Sequence, residues 1–232
     1  MKQTDVGIFL HRTAYAESSL IVLYYTFEHG LQSFAYQGAK KKKTPLFPLG
    51  IHELTYYKRP DSELGKISQI QLTYPFQEIA TNPVKSMIAY FIAEVIKKTL
   101  KTDQKEVAIF QFLKQFIIDL EQAEQVGKLP SIFLISFTLH LGIQPNQVDD
   151  QALYFNLNEG EIGAHQNPYD LIESGMPVQF IAEILASNDS QIILSSEDQK
   201  RMFELLIKYY EIHLPNCNLS QSVQLIRDFL YA

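Results

Sequence analysis

Cysteine is nearly absent from this 232-residue chain: Cys217 stands alone, so no internal disulfide can form, and one cysteine cannot by itself build a structural zinc site. A reducing, cytoplasmic compartment is the expectation. Long apolar runs are lacking too. The densest, residues 132–139, is far shorter than the roughly 20 residues a membrane-spanning helix requires. The first seven residues carry Lys2 and Asp5 and show no apolar core of a secretory leader. Signatures of catalysis are also missing. The histidines form no HExxH pair, and neither a GxSxG elbow nor a GxGxxG fingerprint occurs. The neighbouring carboxylates Asp149/Asp150 and Glu159/Glu161 read as turn and surface charge rather than as an acid and base pair. The expectation is a chain with no catalytic residues, no metal and no cofactor.

What is present is enough apolar material for a core, at 46% of residues, and an uneven distribution of charge. The net charge is −6, yet residues 1–80 hold nine Lys/Arg against seven Asp/Glu, a net +2 that leaves −8 for the remainder. A polyanion is expected to meet the N-terminal part first.

Up to about residue 80 the apolar residues come in short runs separated by turn signals, which predicts a small all-β unit. Five strands are expected, over 5–12, 20–27, 31–37, 47–58 and 66–74. The second is an almost unbroken apolar run, as in a strand buried on both faces. The fifth alternates, with Ile70, Leu72 and Tyr74 on one face and Gln69, Gln71 and Thr73 on the other. Five short antiparallel strands suit an OB-type barrel. After Pro83 the apolar period changes to about 3.6, giving helices through 84–96, 107–120 and 132–141, the last ending at Gly142. Further helices are expected over 177–186, 197–213 and 219–230. Between these groups, residues 144–168 are irregular, with a possible hairpin of 153–157 and 161–164 around Asn158-Glu159-Gly160. The pattern predicts an α+β chain: an OB-fold β-barrel over 1–80 and an α-helical domain over 81–232.

The conspicuous chemistry is Gly38-Ala39-Lys40-Lys41-Lys42-Lys43-Thr44. Four adjacent ammonium groups concentrate positive potential where a phosphate backbone could release counterions, although a solvated turn reads the same way. It is no P-loop, because the second glycine is lacking and the lysine comes one residue too soon. Aromatic residues accompany the cations. Tyr15, Tyr36 and Tyr57 are candidates to stack unpaired bases, with Arg12, Lys58 and Arg59 following the backbone; core packing competes for each ring. Tyr36 and Tyr57 look more like surface residues than Phe34 does.

Several segments in order resemble the RecO family of bacterial recombination mediators. They are Gly7-Ile8-Phe9-Leu10, Tyr15-Ala16-Glu17-Ser18-Ser19-Leu20-Ile21-Val22, Tyr25-Thr26 with His29-Gly30, and Gly38-Ala39-Lys40-Lys41. Later come Leu141-Gly142-Ile143-Gln144-Pro145-Asn146 with Tyr154-Phe155, and Tyr209-Tyr210-Glu211-Ile212-His213-Leu214-Pro215. The resemblance implies an OB-fold domain plus a helical domain that binds single- and double-stranded DNA and promotes strand annealing. It also implies work with RecR and single-strand DNA-binding protein, and help in loading RecA. Many members of the family carry a four-cysteine zinc site after the Leu-Gly-x-x-Pro-Asn segment. Here residues 144–168 hold no cysteine and only His165, so no zinc is expected. Two other readings stay open: a protein-binding scaffold built on the acidic helical domain, and a metal-dependent nuclease assembled from scattered carboxylates.

Overall fold

The computed structural model describes residues 2–39, 45–59, 62–102, 105–148, 153–164, 170–187 and 189–231. The lysines Lys40 to Lys43 and His165 lie outside the described residues. The chain forms two compact units, Met1–Glu124 and Gln125–Ala232.

In the first unit five strands close a barrel in the order β1-β2-β3-β5-β4. They are β1 (Lys2–Ala14), β2 (Leu20–Thr26), β3 (Gly30–Tyr36), β4 (Ile51–Tyr57) and β5 (Leu64–Leu72). All neighbours are antiparallel except β3 with β5, and each strand of the closed barrel is paired on both sides over part of its length. Alternation selects the interior: Phe9, Val22, Tyr24, Phe34, Tyr36, Leu54, Tyr56 and Ile67 form one core cluster. Phe34 meets Tyr56 edge-on at 4.8 Å and Tyr24 at 6.3 Å. A side chain at Gly65 would strike the Phe34 ring at 2.6 Å, so glycine at this position is what lets the ring lie against β5.

The expected strands are present, with three differences. Residues 47–50 are a turn, not strand: Leu49 adopts φ 65° and Gly50 donates to the Phe47 carbonyl at 3.0 Å, so β4 begins at Ile51. The alternation of β5 is broken because Thr55 pairs with Gln69 while Tyr56 pairs with Ile67, leaving Ser68 as an extra residue. Ile67 and Ile70 both face the core in consequence. β2 is buried on both faces only in its second half, where its outward side is covered.

The change of period at Pro83 marks a change of structure type, but packing continues past it. Helices α1 (Glu78–Thr81), α2 (Pro83–Thr99) and α3 (Val107–Gln122) belong to the same unit as the barrel. Asn82 caps α2 by accepting from the amides of Val84 and Lys85, with Pro83 at the first turn. The Glu121 carboxylate accepts from the amides of Gln77, Glu78 and Ile79 at 2.7 to 2.8 Å, and the buried Lys85 ammonium donates to the Glu121 carbonyl at 2.7 Å. Burial opposes ionisation of Glu121, but those three amides and the Lys85 charge outweigh it and hold its pKa below the ordinary 4.5. The stabilisation is therefore complete above pH 4.5 and is lost as pH falls through the lowered value. Glu121→Ala is expected to cost about 1–2 kcal/mol in urea unfolding at pH 7, a capping-sized loss, and to flatten the acid limb of the stability curve. An unchanged acid limb would show that another group sets it.

The second unit contains α4 (Leu129–Leu141), α5 (Met176–Ser187), α6 (Ser196–His213) and α7 (Ser220–Leu230). Gly142 ends α4 in the left-handed conformation at φ 70°. The expected hairpin exists as β7 (Tyr154–Asn156) and β8 (Glu161–Gly163), but it lies in a four-stranded sheet with β6 (Asn146–Gln147) and β9 (Ile172–Ser174). Strands of two or three residues carry no readable period. The sheet is held by buried Phe155, Leu157 and Ile162 and by α6, where the Tyr209 ring lies 5.2 Å from Phe155 and its hydroxyl donates to the Ile143 carbonyl at 2.7 Å. His213 donates to the Leu157 carbonyl at 2.9 Å. With a packed apolar centre in place, incubation with EDTA is expected to leave the melting temperature unchanged. A fall on chelation would reveal a bound metal.

Candidate nucleic-acid interface

The pairing register brings together residues that the sequence holds far apart. Thr13 of β1 is opposite Ile21 of β2, which is opposite Ala35 of β3, which pairs with Lys66 of β5, which is opposite Tyr57 of β4. Directly opposed residues share a face. The row therefore runs across five strands on the outside of the barrel, roughly 19 Å from end to end at the usual strand spacing. Its outward side is explained by the alternation of neighbours, since Val22, Phe34 and Tyr56 point inward and a side chain at Gly65 would meet the Phe34 ring.

The loop at one end of the row, 15–19, carries Tyr15, which is 66% exposed. Tyr57, 50% exposed, stands at the other end, followed by Lys58 and the exposed Arg59 in the loop to β5. Lys66 between them is exposed, and Lys2, opposite Tyr57, is exposed as well. Past Phe9, β1 pairs with β2 alone, so Arg12 is solvated although it is in phase with the buried Val22. The Lys58 ammonium is half-buried and donates to the Gln32 side chain, which in turn donates to the carbonyls of His29 and Leu31 at 3.0 Å. Lys58 is thus part of a polar seam as well as a surface cation.

One candidate is corrected. Tyr36 is only 2% exposed and belongs to the barrel core. The reason is parity: it lies two residues beyond Phe34 on the same strand, so both rings take the inward face.

The lysine run lies outside the described residues, but its flanks are described. Ala39 and Leu46 pack against the barrel core, and the Pro45 carbonyl accepts from Nε2 of the buried His52 at 3.1 Å. Burial pulls the His52 pKa below its ordinary value, and the neutral ring stacks edge-on against Tyr24 at 5.8 Å. Burial likewise, with Asp5 and Glu28 nearby, pushes the Tyr56 hydroxyl up to about 12, so it remains protonated.

Half of the outer face of β2 and β3 is covered. Tyr25 stacks on Phe110 at 6.5 Å and donates to the Glu106 carbonyl, while Leu31 bridges to Thr102. The open half is Ile21, Leu23, Ser33 and Ala35, bordered by the two loops. In OB-folds this face and these loops hold oligonucleotides. Lys66 escaped the sequence reading because only the register aligns it with Tyr57. Among the described residues no group of three or more His, Cys, Asp or Glu side chains is arranged to hold a metal ion, and no helix is long and apolar enough to cross a membrane.

Comparison with known proteins agrees with this architecture over nearly the full chain. Residues 1–76 match the model for the recombination protein O N terminal domain, and residues 80–222 match that for its C terminal domain. The chain is 28% identical to the DNA repair protein RecO of Phocaeicola vulgatus, covering 98% of this chain and 99% of the relative. It is 25% identical to that of Flavobacterium psychrophilum, covering 96% of each, and 27% identical to that of Bacteroides fragilis, covering 98% and 99%. A five-stranded barrel followed by helices, matched at both ends by the two domain models, places the chain in the RecO family of DNA repair proteins.

Proposed function

We propose that this chain is a non-enzymatic recombination mediator that binds single- and double-stranded DNA on the open outer face of the barrel and accelerates annealing of complementary strands. The observation that carries this reading is the transverse row from Thr13 to Tyr57, which places Arg12 and Tyr15 at one end and Tyr57, Lys58 and Arg59 at the other. Cations along the row neutralise the phosphate repulsion that keeps two strands apart, and exposed rings accept bases without regard to sequence. Lys40, Lys41, Lys42 and Lys43 begin four residues after the end of β3, whose last residue, Tyr36, is opposite Leu20 at the start of β2. They are the densest run of positive charge in the sequence. No covalent step is required, and no cofactor enters.

Membership of the family supports action with RecR and single-strand DNA-binding protein, helping RecA onto coated strands in the cytoplasm. The test is an annealing time course for labelled complementary oligonucleotides without ATP or metal, paired with single-strand binding across a salt series. Accelerated annealing with salt-sensitive binding is expected. Neither activity at low salt would turn the assignment to a protein-binding scaffold, and strand cleavage in magnesium or manganese would turn it to a nuclease.

A further inference from the structure

We propose that a cleft on the outside of the barrel, between Leu23 and Leu64, is a subsite for one unstacked guanine base; the proposal rests on the DNA-binding reading above and gives it a base preference. The cleft has a volume of about 430 Å³, and its lining includes Leu23, Gln32, Ser33, Lys58, Glu63 and Leu64. That is within the ordinary range for a small-molecule site.

The register explains its shape. Leu64 pairs with Ser33, and Ser33 is opposite Leu23, so the three occupy one row, two residues along from the row of Lys66, Ala35 and Ile21. All three share the outward face. Leu23 and Leu64 stand on strands two apart, about 9.6 Å between backbones. A flat ring in contact with an alkyl wall on each side, at ~3.5–4.0 Å per contact, needs about 7–8 Å. Ser33 makes the floor between them. Leu64 is 39% exposed, an apolar side chain left facing solvent beside cations. The pairing of β3 with β5 starts only at Ser33, so the first residues of β3 lack a β5 partner, and Lys58 reaches across that gap to Gln32.

The polar rim selects the base. An ammonium group has three donors, and Gln32 occupies one. Lys58 therefore offers a donor to the cleft and Glu63 offers a carboxylate acceptor. Guanine presents the O6 acceptor beside two adjacent donors, N1–H and the N2 amine, which one carboxylate takes in parallel. Adenine and cytosine place an amine where Lys58 needs an acceptor. Thymine has one N–H and no neighbouring amine.

The experiment measures binding of the full chain to labelled oligo(dT) carrying one central thymine, adenine, guanine or hypoxanthine. Guanine is expected to bind roughly tenfold tighter than adenine, with hypoxanthine, which lacks the N2 amine, in between. Glu63→Gln should bring the guanine and adenine oligonucleotides to equal affinity. Glu63 is exposed, and its melting curve checks folding. Equal binding of all four oligonucleotides by the wild-type chain overturns the subsite alone. Failure to bind oligo(dT) at any salt overturns the DNA-binding reading and the subsite with it.

Discussion

Alanine in place of Lys40, Lys41, Lys42 and Lys43 together is expected to weaken single-strand binding roughly tenfold or more at low salt and to flatten its salt dependence. Each phosphate neutralised on a single strand contributes about 0.7 to the slope of log K against log salt, so losing four contacts lowers the slope by as much as about 2.8. Wild-type and variant affinities should converge as salt rises, because only the counterion-release contribution has been removed. Thermal stability is the control. The flanking Ala39 and Leu46, which pack against the core, are untouched. Anisotropy titrations between 50 and 200 mM salt decide the matter, and a slope equal to wild type would remove the loop as a DNA contact. Arg12, Lys66 and Arg59, exposed along the strand row or at its ends, would then carry the backbone contacts.

The difference between what could and could not be read from the sequence follows from the range of the interactions involved. Strands and helices with a full apolar period were legible, because one side chain in two, or a stripe at 3.6, is decided by the face that must be buried. The turn at 47–50 misled because Phe47 and Leu49 are apolar without being in a strand; Leu49 is buried from a left-handed turn. The bulge at Ser68 was invisible for the opposite reason. A one-residue slip in β5 is settled by Tyr56 and Ile67 meeting inside the barrel, not by anything local. The Glu121 cap on the first turn of α1 joins residues more than 40 apart. The candidate site divides the same way. Arg12, Lys58, Arg59 and two of its rings were legible as residue types, while the row that unites Thr13, Ile21, Ala35, Lys66 and Tyr57 exists only through four pairings. Tyr36 was the exception that local reasoning could have settled, since a strand residue two away from Phe34 must share its side.

That parity gives two tyrosines opposite expected behaviour. Tyr36→Ala removes a ring that is 2% exposed within a cluster containing Phe34, Tyr56 and Ile67, and a cavity of that size costs about 3–5 kcal/mol. This is a large share of the roughly 5–15 kcal/mol that holds a typical domain together, so the barrel is expected to melt at a much lower temperature or fail to accumulate. Tyr57→Ala removes a ring that is 50% exposed at the end of β4, and stability should change by no more than about 0.5 kcal/mol. Its effect falls on DNA: loss of one stacked base is worth about 1–3 kcal/mol, a roughly 5- to 160-fold weaker complex with single strands. Because stacking is not ionic, the salt slope of Tyr57→Ala should match wild type, which separates it from the lysine variants. Tyr36→Phe, which keeps the buried ring, supplies the folded comparison and should bind DNA as wild type does. Weakened binding by Tyr36→Phe would place its hydroxyl at the DNA after all, and unaltered binding by Tyr57→Ala would remove that ring from the interface.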